Sequence, residues 1–245
     1  MIKNIFFVMT FLFNMSSSLY SMDTFKQETA DRFSIATDDL NVVFRRIHLP
    51  AISNPSNEGE KNDCETLKKH FGDFDAVKDM FGWPAAIVFQ VLHKLSPKFI
   101  LDTYINAYTA KLNKMSEDQK IEYHWFVEDS EKNFLGLLSI STYVGGRPVQ
   151  YSDKFLLEVG LALSEEYRNQ GITSKLLVPV LQKLSQCRQF KNGIFCFDTR
   201  ADNEAVHKIA AKLGARLIYS HNVKRDFGLW EEGQLSHLFV IDLKS

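Results

Sequence analysis

The stretch that most constrains this fold lies between residues 155 and 187. An almost unbroken apolar run, Phe-Leu-Leu-Glu-Val-Gly-Leu-Ala-Leu over 155–163, has the length of one strand and a single acidic residue, Glu158. A short polar turn follows, and over 170–187 the apolar residues return at helical spacing. Leu177, Val180, Leu181 and Leu184 fall at i, i+3, i+4 and i+7, which makes a core stripe. Pro179 sits about 150° from that stripe at ~100° per residue, so a kink is expected with its missing hydrogen bond on the outer side.

Between strand and helix the chain reads Arg168-Asn169-Gln170-Gly171-Ile172-Thr173. A helix start presents unsatisfied N–H groups and the positive end of its dipole, which together attract an anion. Gly171 lets an oxygen-rich ligand approach the backbone, and Arg168 adds a permanent forked cation. The physical reading is a diphosphate cradle. Neither a Gly-Lys-Ser/Thr nor a Gly-x-Gly-x-x-Gly sequence occurs in the chain, so it is not one of the common nucleotide loops. Strand alternation puts Leu156, Glu158, Gly160 and Ala162 on one face. The small residues there either leave a hollow in which a ligand lies along the strand or simply admit a covering helix.

Around this unit, residues 52–63 are rich in turn formers and read as a loop. Residues 65–115 are mostly helical in pattern, interrupted at Gly82-Trp83-Pro84 and restarted at Ser96-Pro97, a good cap followed by proline. Strands are expected over 124–128 and 134–143, then a loop at Gly145-Gly146, and further strands over 193–199, 216–220 and 235–243. A helix over 203–213 is capped by Asp202 or Asn203. It buries Val206, Ile209, Ala210 and Leu213 and stops at Gly214. Helices early, a β meander and then β-α-β-α-β-β predict one mixed α/β domain, a central mixed sheet flanked by helices.

Composition narrows the partners. With 29 Lys+Arg against 30 Asp+Glu there is no electrostatic reason to expect nucleic acid or an acidic membrane. Three scattered cysteines, Cys64, Cys187 and Cys196, make neither a disulfide framework nor Cys-x-x-Cys metal spacing, so no metal is expected. Beyond the N-terminus no run of 18 apolar residues suggests a membrane span. Residues 1–21 carry one lysine, a nine-residue apolar run over 5–13 and the small polar run Ser16-Ser17-Ser18, the pattern of a secretory signal cleaved after Ser18 or Ser21. The alternative is a cytoplasmic protein that starts at Met22.

The segments 158–163, 167–173, Asn203 and Lys212-Leu213-Gly214-Ala215 together resemble the GNAT superfamily of acetyl-CoA-dependent N-acetyltransferases over roughly residues 120–220. A weaker likeness, through Phe81-Gly82-Trp83-Pro84 and the strand from Tyr123, is to the ribosomal-protein N-acetyltransferase branch. The resemblance implies that residues 22–119 form an N-terminal loop and helical part and 120–245 an acetyl-CoA-binding core. It implies that the backbone of Leu161, Ala162 and Leu163 binds pantetheine. The turn 168–173 would then hold the pyrophosphate, and the Asn203 side chain would contact the cofactor. It further implies transfer of acetyl from acetyl-CoA, without metal, to a primary amine, either a peptide N-terminus or a small molecule, by direct attack.

Two departures from the family pattern stand out. Thr173 occupies a position where Gly or Ala is usual. Ala210 stands seven residues after Asn203, where many relatives place a tyrosine that protonates the leaving thiolate. Candidate catalytic groups are therefore carboxylates: Asp198, on the strand before Asn203, and Glu158, in an apolar strand where burial makes an ionised group expensive. His124, His207, His221 and His237 show no partner spacing and read as surface or packing residues, and Cys196 reads as core. The rivals to an enzyme are a silent acyl-CoA-binding protein and a secreted interaction scaffold. The N-terminal expectation is checked by intact mass. Protein isolated from its own cell should begin near Leu19 or Met22, and retention of Met1 in a soluble cytosolic form would refute export.

Overall fold

The computed structural model describes residues 31–37, 40–48, 55–71, 121–222, 233 and 235–243. Its elements are β1 (Arg32–Thr37), β2 (Leu40–Ile47), α1 (Glu58–Phe71), β3 (Glu122–Asp129), β4 (Phe134–Thr142), β5 (Leu156–Leu163), α2 (Ile172–Ser185), β6 (Ile194–Arg200), α3 (Glu204–Lys212), β7 (Arg216–Asn222) and β8 (Leu235–Val240). The strands form one sheet in the order β1-β2-β3-β4-β5-β6-β8-β7. β5 and β6 are parallel, and every other neighbouring pair is antiparallel. The fold is the expected mixed α/β sheet with helices. The possible signal over 1–21 and the helical pattern over 72–115, with its breaks at Gly82-Trp83-Pro84 and Ser96-Pro97, lie outside the described residues.

Three expectations change. Residues 58–63 are the first turns of α1 and not a loop. Their turn formers act as a cap: Asn57 Oδ1 accepts from the Glu60 N–H at 2.9 Å, while the Glu60 carboxylate accepts from the Ser56 N–H at 2.6 Å and hydroxyl at 2.8 Å. Residues 32–37 and 40–47, expected within a loop and helical part over 22–119, pair as two antiparallel strands. Phe33 and Ile35 on β1 and Val42 and Phe44 on β2 alternate into the core, with Phe33 stacked on Phe44 at 4.7 Å. The helix expected from 170 starts two residues later, because Asn169 (φ 61°) and Gly171 (φ 75°) are left-handed. α2 then runs through Pro179 without a break.

One face of the sheet carries the main core, where Ile172, Leu176, Leu177, Val180, Leu181 and Leu184 of α2 meet β-strand residues such as Trp125, Leu138, Leu157 and Phe195. The other face carries a smaller cluster of Tyr143, Leu156, Cys196, Leu238 and Val240. Glu158 and Asp198, each two residues along its strand from a member of that cluster, face the same side.

α1 is pinned to the sheet by Arg45. Its two terminal nitrogens donate to the Asp63 carboxylate at 2.8 and 2.9 Å, its Nε donates to Glu128 at 2.9 Å, and the guanidinium lies 5.0 Å from the Phe126 ring centre. Replacing Arg45 by Met leaves two carboxylates without their shared cation. Stability should fall by about 1.5–3 kcal/mol, the range for hydrogen bonds to charged groups. Urea unfolding with an unchanged slope and a lower midpoint checks this.

Candidate active site

β5 and β6 are joined by three pairs, Leu156↔Ile194, Leu157↔Phe195 and Glu158↔Cys196, and by none beyond them. β5 continues to Leu163 paired with β4 alone, and β6 continues to Arg200 paired with β8 alone. From Glu158 onward the facing edges of the two strands carry no ladder, so the sheet opens into a crevice. β5 leads through the turn 164–171 into α2, and β6 through 201–203 into α3, so both helix starts follow the carboxyl ends of these strands. A crevice at the carboxyl ends of neighbouring parallel strands is where open α/β sheets take ligands.

The floor of the crevice is β5. Glu158, Gly160, Leu161 and Ala162 are half-buried, whereas Leu157, Val159 and Leu163 are in the core. Gly160 has a packing cause of its own, because a Cβ there would stand 2.6 Å from Ser139 Oγ on β4. Gly136 is required in the same way: a Cβ would collide with the carbonyl oxygen of Ala162, so this glycine sets how closely β4 supports the floor.

The turn 164–171 begins with a single 3-10 turn, Glu165–Tyr167, after which Arg168 is extended and Asn169 and Gly171 are left-handed. Gln170 Nε2 donates to the Glu166 carbonyl at 2.6 Å. Arg168 does more than the expected cation, since its Nε donates to the Leu163 carbonyl at 2.9 Å and ties the end of β5 to the turn. Gly171 is the N-cap of α2, with Ile172, Thr173 and Ser174 supplying the first-turn N–H groups that no helical carbonyl can reach. The Ile172 side chain is buried in the core, so only its backbone is available to a ligand. A Cβ at Gly171 would meet nothing closer than Ser174 Oγ at 3.9 Å, so the constraint on this residue within the protein is its φ and not its space.

At the other helix start, Asn203 is the N-cap of α3, and its Oδ1 accepts from the Val206 N–H at 3.3 Å. Ala210 is buried and offers no hydroxyl.

Asp198 stands two residues past Cys196, where the strands part, and it is not a free carboxylate. One oxygen accepts from the Tyr143 hydroxyl at 2.8 Å and the other from the Ser236 hydroxyl. His221 Nε2 lies 3.5 Å away. Burial pushes the Asp198 carboxyl above the ordinary range, opposed by the two hydroxyl bonds and by His221. Tyr143 is pushed up too, by burial and then by the Asp198 charge, so its phenol stays a neutral donor. Glu158 adds its charge to both groups.

The two sequence-chosen carboxylates are thus neighbours on one face, while the backbone candidates at 161–163 and 168–173 form the floor and one lip of the crevice. The histidines are not isolated. His221 meets Asp198, His124 lies 2.8 Å from Glu122, and the rings of His207 and His237 are 5.1 Å apart. The His221 and His207–His237 contacts depend on how the elements are arranged in the fold, whereas Glu122 and His124 are alternate residues on one face of β3. Among the described residues there is no group of three or more side chains suited to a metal, and no helix is long and apolar enough to cross a membrane.

The chain belongs to the GNAT acetyltransferases: the family described as Acetyltransferase (GNAT) domain matches residues 63–216. No curated protein matches. Among solved structures, an uncharacterised protein from Bacillus halodurans is 11% identical, with a TM-score of 0.55 over 88% of this chain and 92% of that one. RimJ from Mycobacterium smegmatis in complex with CoA-disulfide is 13% identical, with a TM-score of 0.52 over 86% of each chain. The ribosomal-protein-S5-alanine acetyltransferase from Vibrio fischeri is 15% identical, with a TM-score of 0.50 over 87% of this chain and 98% of that one. At these identities the likeness is one of fold.

The raised carboxyl of Asp198 makes a signed prediction. A folded-state value above the unfolded one gives stability that is fully present below the unfolded value near ~3.9 and is lost as pH rises through the folded value. Asp198→Asn keeps the shape of the protonated acid and escapes that loss. The melting temperature of the variant minus that of the wild type should therefore grow from pH 4 to pH 7.5. A difference that stays flat would show that burial does not raise this carboxyl.

Proposed function

We propose that this chain transfers an acetyl group from acetyl-CoA to a primary amine by direct attack, with no covalent enzyme intermediate. The observation that carries the reading is the parting of β5 and β6 above the left-handed cap at Gly171. It presents an unladdered strand edge beside a helix N-terminus, which suits an extended amide-bearing arm ending in a diphosphate. The first-turn N–H groups of α2 meet the diphosphate, and the edge of β5 beyond Glu158 meets the arm. When bound, the thioester supplies an activated acetyl carbon and a thiolate leaving group. The protein's part is to hold the reactants within attacking distance and to take a proton from the acceptor ammonium.

The acceptor class follows from acid–base demand. A lysine side chain near ~10.4 is about 0.1% neutral at physiological pH, whereas an α-amine near ~7.8 is tens of per cent neutral. With alanine at position 210 no tyrosine assists the leaving thiolate from that position, which favours an N-terminal or other low-pKa amine over lysine. The same buried Ala210 is the one observation favouring a second reading, an acyl-CoA-binding protein without turnover.

Thiol release from acetyl-CoA across a panel of amines separates the two readings. The enzyme gives CoA thiol with at least one α-amine peptide or small amine, and the binder gives none while still gaining thermal stability. Saturating acetyl-CoA should raise the melting temperature, by mass action about 2.7 kcal/mol of stability at a hundred times Kd. Gly171→Val places a β-branched residue at φ 75°. A folded variant should bind at least tenfold more weakly, at a strain of ~1–3 kcal/mol. A wild type indifferent to millimolar acetyl-CoA and CoA would defeat both readings.

A further inference from the structure

On the sheet face opposite α2 and α3, the strands β3, β4 and β5 set one row of polar side chains. Glu122 stands opposite Ser141, Ser141 opposite Glu158, and Glu158 opposite Cys196 in the last rung before β5 and β6 part. Residues directly opposite across a ladder share a face. Neighbouring strands lie ~4.8 Å apart, so the two carboxylates stem from points about 10 Å apart with the serine midway. The next row, His124, Ser139 and Gly160, runs beside this one and ends in a residue without a side chain, which leaves a hollow next to Glu158. Ser141 is 3% exposed, and its hydroxyl has no hydrogen-bond partner among the described residues. Its oxygen is not one of the atoms closed to solvent, so it can be reached from the hollow. Glu122 is held in place, with one oxygen 2.8 Å from His124 Nε2, and its side chain keeps 17% of its surface exposed. Glu158 is half-buried, and its charge is felt by Tyr143 and by Asp198 on the other side of the parting. Among the described residues, the positions of β3, β4 and β5 on this face hold no lysine or arginine, so the row is anionic.

We propose that this row seats the ammonium group of the acceptor, with Glu122 and Ser141 as the residues that select a positively charged one. This rests on the acetyl-transfer reading above and places its second substrate. An arm whose diphosphate lies at Gly171 and which follows the edge of β5 inward brings its thioester end to the closed end of the crevice, where Glu158 stands. The helices occupy the other face, so the acceptor comes in over this one. An ammonium carries three N–H donors, and Glu122, Ser141 and Glu158 offer three acceptors in a line. Two of the three are charged, which shortens and strengthens the bonds they accept. The hollow over Gly160 and Ser139 takes the first carbons of the acceptor chain. Ser141 on β4 and Glu122 on β3 stand one and two strands back from the crevice, so they act on binding and not on the acetyl carbon.

The test measures kcat and the KM for acceptor and for acetyl-CoA with the full chain. The acceptors are a short peptide bearing a free α-amine and an arylamine that is uncharged at the same pH. Glu122→Gln keeps the size of the side chain and removes its charge. It should raise the peptide KM about tenfold, the loss of one charge-assisted bond, with kcat and the acetyl-CoA KM within about twofold and the arylamine KM unmoved. Ser141→Ala, which removes the hydroxyl without crowding and decides alone should the first variant not fold, should raise the peptide KM ~2–10-fold and likewise spare the arylamine. A peptide KM that stays put in the folded variants, or an equal rise for peptide and arylamine, would overturn the seat while leaving acetyl transfer intact. So would a wild type that acetylates the arylamine and no charged amine. A wild type that binds acetyl-CoA yet releases no thiol with any amine would instead overturn the reading beneath it, and the seat with it.

Discussion

The structure depends on a pairing that stops. β5 and β6 share three residues of parallel ladder and then each follows its outer neighbour, β5 with β4 to Leu163 and β6 with β8 to Arg200. Each strand stays bonded to its outer neighbour where the two part, so the crevice is bounded on both far sides by antiparallel ladders. The cost is a strand edge whose backbone groups lack a strand partner in the middle of a sheet, where such groups are normally paired. That cost is sustainable when a ligand takes the place of the missing strand, and this links the break in the ladder to binding.

The same break sorts the two faces of the sheet. Toward α2 and α3 the strands present Leu157, Val159, Phe195 and Phe197, an apolar surface that anchors both helices and so fixes where their N-termini point. Toward the other face they present Glu158 and Asp198, set among Tyr143, Ser236 and His221. Alternation along two strands therefore puts the helix N-termini and the polar cluster on opposite faces of a single sheet. A shift of register by one residue in either strand would exchange them.

What could be read from the chain follows the range of the interactions concerned. The apolar stripe of α2 and the strand over 155–163 are written in neighbouring residues and were legible, whereas the left-handed cap at Gly171, which moves the helix start from 170 to Ile172, was not. The ribbon of β1 and β2 was not, since each strand offers only a pair of alternating apolar residues, Phe33 with Ile35 and Val42 with Phe44, and the following Arg45-Arg46 looks solvated. Arg45 is instead the cation that clamps α1 through Asp63, a contact across an intervening segment that no local pattern reveals. Glu60 turned a string of turn formers into a helix start because its carboxylate reaches back to Ser56, a capping signal mistaken for a loop.

Asp198 shows the limit of reading a carboxylate from its position in a motif. Its partners are Tyr143, just past β4, Ser236 of β8 and His221 of β7: burial makes its charge costly, and the two hydroxyls and the imidazole offset part of that cost. An acid so placed is poorly suited to pick up a proton from solvent-borne ammonium by itself, because both of its oxygens are already engaged. The hydroxyls that satisfy Asp198 also stop it from turning toward the crevice. Burial raises its proton affinity, the two hydroxyls and His221 oppose that rise, and the same hydroxyl bonds fix how the carboxylate is held beside the crevice.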